Sequence, residues 1–112
     1  MWFEWDEAKN RQNLRKHNVR FETAALVFDD PFALSHRDDA SNDEERWITI
    51  GAIGPGPILV VVHTWLEKHG EEVIRIISAR AAESHEKWAY AEAHKGAETR
   101  YRRDRRENRR RH

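Results

Sequence analysis

Three β-branched, apolar runs follow one another with only short polar connections between them: residues 46–53 (RWITIGAI), 58–66 (ILVVVHTWL) and 73–80 (VIRIISAR). Gly54-Pro55-Gly56-Pro57 separates the first two, and Glu67-Lys68-His69-Gly70-Glu71-Glu72 the second two. Glycine and proline at that density impose a tight turn. Neither connection is long enough for a crossover, so the three strands must pair antiparallel and in sequential order.

The rest of the chain supplies what packs on that sheet. Residues 2–5 (WFEW) read as a short edge strand or an aromatic plug, and residues 32–36 (FALSH) as a further strand. Asp6 is placed to cap a helix from about Glu7 to His17, with Glu7 in its first turn. Arg15, Lys16 and His17 suit its last turn, and Asn18 tolerates the left-handed conformation that ends helices. A second short helix is expected from about Glu22 to Phe28, stopped by Asp29-Asp30-Pro31. Residues 37–45 form a polar loop, and a last helix runs from about Ala82 to His94. The expected fold class is α+β: a small antiparallel meander with N-terminal helices and a C-terminal helix. At 112 residues the chain fits one domain, over residues 1–96, followed by a basic tail, 97–112, helical or disordered.

Side chains alternate along a strand, so parity assigns faces. Ile48, Ile50, Val60, Val62, Ile74 and Ile76 form one aliphatic set, expected to be the core face. The opposite parity holds Trp47, Thr49, His63, Trp65 and Arg75, with Leu59, Val61, Val73 and Ile77 among them. That second set has two readings: an RNA-facing surface of stacking rings and cations, or simply the other buried face of the sheet. A one-residue slip in the last hairpin would mix the two sets.

Composition removes several chemistries. There is no cysteine, so disulfides, Cys-based zinc sites and thiol nucleophiles are excluded. A reducing compartment follows as the expectation for a domain this small. No apolar run approaches the ~20 residues needed to span a bilayer, and the N-terminus lacks a signal-peptide core. The chain reads as cytoplasmic, with no membrane partner. Seven histidines are scattered without metal-ligand spacing, the Gly-Pro turn lacks the Lys-Ser/Thr of a phosphate loop, and Ser78 lacks a nucleophile elbow. Neither a metal site nor a cofactor is expected. The net charge of zero hides an asymmetry: residues 93–112 carry nine Lys/Arg against three acids, leaving the body acidic. Such a tail attracts polyanions or folds back on its own domain.

What remains is basic and imidazole chemistry: Lys9, Lys16, His17, Arg46, His63, Arg75 and Arg80. That inventory suits metal-free RNA cleavage, in which the 2′-hydroxyl attacks the adjacent phosphate. The reaction needs a base, a charge stabiliser and a proton donor. The same residue types also occur on surfaces that do no chemistry.

Three blocks in order resemble a known family. The first contains Phe3, Trp5, Asp6, Lys9, Asn13, Lys16, His17, Phe21, Glu22 and Ala24. The second is ERWITIG with VVVHT, and the third is RIISARAAESHEKWAY, with Arg75, Ser78, Arg80, Glu86 and Tyr90. Together, over roughly residues 3–92, they resemble the BrnT family of ribonuclease toxins. Asn18 stands where that family usually has Gly, the last hairpin loop reads as longer, and the basic tail is not covered.

The resemblance implies a RelE-like fold, endoribonuclease activity, and neutralisation by a BrnA-type antitoxin. It implies contact with operator DNA only through the antitoxin complex. Among the residues present, Arg46, Arg75 and Arg80 would hold or stabilise phosphate. His17 or Lys9 would transfer protons, and Tyr90 would orient substrate. Lys16, His63, Trp65, Arg102 and Arg103 would contact RNA. Each also has a structural reading: Arg80 can bridge to Glu83 or Glu86, and Lys16 and His17 can merely stabilise a helix end. The alternative function is a non-catalytic nucleic-acid-binding or antitoxin-binding module.

Overall fold

The computed structural model describes residues 1–40 and 45–95. The basic tail, with Arg102 and Arg103, lies outside the described residues. Five strands form one sheet: β1 (Trp2–Glu4), β2 (Leu34–Arg37), β3 (Trp47–Ala52), β4 (Ile58–Lys68) and β5 (Glu71–Ala81). Their order is β1-β5-β4-β3-β2. From β2 to β5 each strand pairs antiparallel with the next, as the turn chemistry requires. WFEW is a strand rather than a plug: β1 pairs parallel with β5, Trp2 opposite Val73 and Glu4 opposite Arg75. The meander is thus extended into a mixed sheet by one parallel edge strand.

The last hairpin is tighter than its sequence suggests. Pairing continues to Lys68 opposite Glu71, leaving only His69 and Gly70 in the turn. Both have positive φ, 53° and 79°, which a two-residue turn with the twist of its strands demands.

Helix α1 (Glu7–His17) begins on Asp6, whose side chain accepts from the Ala8 and Lys9 N–H groups. Such a cap stabilises by about 1 kcal/mol. Asn18 ends it at φ 58°, its N–H bonded to the Leu14 carbonyl. The second helix is not continuous over 22–28. It is one α-turn, α2 (Phe21–Ala24), running into a 3-10 turn (Ala25–Asp29). The Asp30 N–H closes that turn on the Val27 carbonyl, three residues back, which tightens the chain before Pro31. Residues 84–95 are helical. No helix among the described residues is long and apolar enough to cross a membrane.

Both sheet faces are covered, and the parity sets need correction. On one face α1, α2 and the 3-10 turn bury Val19, Phe21, Ala24 and Val27 against Leu59, Val61, Ile74, Ile76 and Ala79. On the other, Tyr90 and Ala82 pack with Ile50 and Val60, flanked by Ile48, Ile58 and Phe32. Ile74 and Ile76 therefore lie opposite Trp65 and His63, not with Val60 and Val62. The cause is a bulge: Val62 pairs with Ser78 but His63 with Ile76, so Ile77 is an extra residue and β5 changes parity there.

Candidate functional site

Helix α1 is almost wholly polar, with Ala8 and Leu14 its only apolar residues. A helix of that composition gains little from apolar burial and must dock by hydrogen bonds. Its two buried residues are Asn10 and Asn13. Asn10 accepts the Phe21 N–H at 2.8 Å and donates to Glu22, fixing α2. Asn13 accepts the Ala79 N–H at 3.1 Å and donates to the Ala79 carbonyl at 2.8 Å and to the Val19 carbonyl at 2.9 Å. This position matters because β1 covers β5 only at Val73–Arg75. Beyond Arg75, the side-chain amide of Asn13 does what the backbone of a neighbouring strand would do.

Docked this way, α1 forms an open groove of about 230 Å³ against the bulge of β5. Lys9, Gln12, Asn13, Lys16 and His17 line it from the helix, and Ile77 and Ser78 from the strand. Three of the residues expected to act on RNA, Lys9, Lys16 and His17, are thus brought to one place by the spacing of a single helix face. Ser78, next to the bulge, faces them across the groove on a stretch of β5 that β1 does not cover.

The three arginines are distributed differently. Arg75 is exposed and pairs across β4 with Thr64, three residues before Ser78. Arg80 lies two residues after Ser78, opposite Val60, on the face covered by residues 84–95. Its guanidinium forms a two-pronged pair with Glu86, at 2.7 and 2.9 Å. Glu86 also accepts the Glu83 N–H at 2.8 Å, so one carboxylate caps the helix and holds the arginine. The Arg80 pair, outweighing partial burial, lowers the Glu86 carboxyl to about 2, and Glu86 in turn holds Arg80 above its ordinary value. Arg46 immediately precedes β3, and its carbonyl accepts the Asp38 N–H at 2.8 Å.

Tyr90 and His63 sit in the interior. Tyr90 is 7% exposed and donates its hydroxyl to Asp30 at 2.7 Å. Burial and that hydrogen bond push its phenol up to about 12. His63 is fully buried on the α1/α2 face. Its Nδ1 lies 3.0 Å from the Thr64 carbonyl and must carry the proton, so Nε2 accepts from the Thr49 hydroxyl at 2.7 Å. Thr49 completes the chain at Ser35 Oγ, 2.8 Å away. Phe28 meets the ring edge-on. Burial lowers the His63 pKa, only partly offset by the bond to Thr64. Trp65 is 37% exposed and meets Trp47 edge to face, at a centroid distance of 5.7 Å.

Donor atoms of Glu83, His85 and Glu86 lie within 4.8 Å of one another. Glu86 already commits both oxygens to Arg80, so a cation there would compete with the ion pair. Sequence reasoning assigned no role to Gln12, named Asn13 only within the first resembling block, and read Asp30 only as part of a helix stop. Two asparagines on a helix with almost no apolar residues were the available signal for Asn13.

Comparison with known proteins bears on the family and the fold. A family model described as "Ribonuclease toxin, BrnT, of type II toxin-antitoxin system" matches residues 5–86. Among solved structures, the crystal structure of the Brucella abortus ribonuclease toxin, BrnT, is similar at a TM-score of 0.52 and 24% sequence identity. That match covers 75% of this chain and 99% of the other. No curated protein matches the sequence.

Proposed function

Since this chain belongs to the BrnT family of ribonuclease toxins, we propose that it is a metal-independent endoribonuclease whose reacting centre is the groove between α1 and the β5 bulge. The observation that carries this reading is the convergence of Lys9, Lys16 and His17 on Ser78. In the reaction, one of His17 and Lys9 takes the proton of the 2′-hydroxyl as it attacks the adjacent phosphorus. The other gives a proton to the departing 5′-oxygen, leaving a 2′,3′-cyclic phosphate. Lys16 offsets the developing charge on phosphate.

An RNA strand crossing the free edge of β5 meets further cations. At about 3.3 Å per residue, Arg75 stands roughly 10 Å from Ser78 along the strand. Arg75 serves as an exposed phosphate contact, with Arg46 and Trp65 toward the same end of β4. Arg102 and Arg103 add affinity without chemistry. Arg80, held by Glu86, and Tyr90, held by Asp30, are committed to internal pairs away from the residues that line the groove, rather than meeting substrate. In the cell the activity is restrained by a BrnA-type antitoxin, and operator DNA is reached only through that complex.

A second reading has a specific observation behind it. Two residues expected at the reacting centre, Arg80 and Tyr90, are locked in internal pairs. That favours a module that binds nucleic acid or antitoxin without turnover. Incubating the purified chain with RNA and excess EDTA separates the two. The first reading expects cleavage products ending in cyclic phosphate. The second expects binding that weakens steeply with salt and no cleavage.

A further inference from the structure

The groove between α1 and β5 holds more than the groups that its chemistry uses. Lys9, Lys16 and His17 carry charge or protons, whereas Gln12, Asn13 and Ser78 are neutral and Ile77 is apolar. The division matters for RNA, because contacts to phosphate position a strand while contacts to base edges read its sequence. Helix α1 carries three side-chain amides, on Asn10, Gln12 and Asn13. Two are spent inside the protein: Asn10 on Phe21, Glu7 and Glu22, and Asn13 on Val19 and Ala79. The third, Gln12, is exposed in the groove and forms no hydrogen bond among the described residues.

Its place on the helix is between two cations. Lys9, Gln12 and Lys16 follow at i, i+3 and i+7, one stripe on one helix face. At 1.5 Å of rise per residue, Gln12 stands roughly 4–5 Å along the axis from Lys9 and roughly 6 Å from Lys16. A strand whose phosphates meet the lysines passes its base edges within reach of the amide between them. Across the groove, half-buried Ile77 offers an apolar surface for the face of a base.

We propose that Gln12 is the base-reading residue of the groove and that it selects adenine at the nucleotide lying there. The inference rests on the reading of the groove as the RNA site. A primary amide presents an acceptor, Oε1, beside the donors on Nε2. Among the Hoogsteen edges of the bases, only that of adenine places an acceptor, N7, beside a donor, N6–H. Gln12 Nε2–H donates to N7 while N6–H donates to Oε1. Guanine shows two acceptors on that edge, cytosine a single donor and uracil a single acceptor, so each leaves one half of the amide without a partner. Lys9 and Lys16, which only donate, cannot accept from N6–H.

The test is equilibrium binding of short 2′-fluoro oligouridines, which lack the attacking hydroxyl, with adenine, cytosine, guanine or uracil at the central position. The proteins are the full-length wild type, Gln12→Ala and Gln12→Glu. Gln12 is exposed, so both variants should melt as the wild type does. The wild type should bind the adenine oligomer about fivefold or more tighter than the other three. Replacing adenine by 7-deazaadenine, which lacks N7, should erase that preference. Gln12→Ala should bring the adenine oligomer down to the level of the others and leave the others unchanged. Gln12→Glu, whose carboxylate only accepts, should weaken all four and move the preference to cytosine, whose N4 donates. Wild-type binding without base preference, or an adenine preference that survives Gln12→Ala, would overturn the inference and leave the RNA site standing. No binding of any oligomer by the wild type would overturn both. None of the oligomers can be cleaved, so the outcome does not depend on turnover.

Discussion

Asn13 stands in for a missing strand beside Ala79: its side chain accepts the Ala79 N–H at 3.1 Å and donates to the Ala79 carbonyl at 2.8 Å. The same amide also holds Val19, so one side chain fixes the start of α2, the docking of α1 and the free edge of β5. Asn13→Ala strands three backbone groups in a buried setting. The expected loss is about 3 kcal/mol, read as a lowered urea midpoint. Gln12→Ala, one residue away and exposed, should change stability by no more than about 0.5 kcal/mol. Equal effects of the two would show that the Asn13 bonds do not carry the docking.

The Arg80–Glu86 pair predicts an acid limb. Glu86 titrates near 2 in the folded chain against an ordinary value of 4.5. Its contribution to stability is complete above about pH 4.5 and is lost as pH falls toward about 2. Because the Arg80 side chain is 38% exposed, solvent screening limits the contribution to about 1–2 kcal/mol. Glu86→Gln should cost about that much at pH 7 and flatten the decline between pH 4.5 and 2, in equilibrium unfolding. An unchanged acid limb would remove Glu86 as its source.

His63 predicts a second, milder dependence at higher pH. Its folded pKa lies below the ordinary 6.5 because the ring is buried. The unfolded chain therefore binds a proton that the folded chain refuses, and stability falls as pH drops below about 6.5 toward the folded pKa. Protonated Nε2 would also need Thr49 to reverse its hydrogen bond. Comparing unfolding at pH 7.5 and 5.5 tests this. His63→Gln should be less stable at the higher pH and lose less on acidification than the wild type.

Gly51 marks where β3 passes under the 3-10 turn. A Cβ there would lie 2.7 Å from Val27 Cγ1 and 3.2 Å from Ala33 Cβ. Gly51→Ala should destabilise by about 1–3 kcal/mol, seen as a lower Tm, with the Asp30 hub displaced.

The turn residues made the meander legible, because Gly-Pro-Gly-Pro and the His-Gly hairpin permit no other connection. The cap at Asp6 and the stop at Asn18 were legible for the same reason: both are local. Faces were not. Parity over residues 73–80 is broken by the bulge at Ile77, and nothing in VIRIISAR announces an extra residue, since the bulge answers to packing across the sheet. The parallel pairing of β1 with β5 joins segments about seventy residues apart and leaves no local trace. Within the site, Lys9, Lys16 and His17 could be gathered from one helix. Their opposite wall at Ser78, and the withdrawal of Arg80 and Tyr90 into pairs with Glu86 and Asp30, depend on contacts between distant elements.

The central claim is that the groove between α1 and β5 cleaves RNA, and it is tested by single-turnover cleavage of RNA in EDTA by the wild type, His17→Ala and Lys9→Ala. Both side chains line an open groove, so both variants should melt as the wild type does. Each should lose about a hundredfold or more in cleavage rate while RNA binding changes little. Folded His17→Ala and Lys9→Ala proteins that cleave at the wild-type rate would place the chemistry elsewhere and contradict the account.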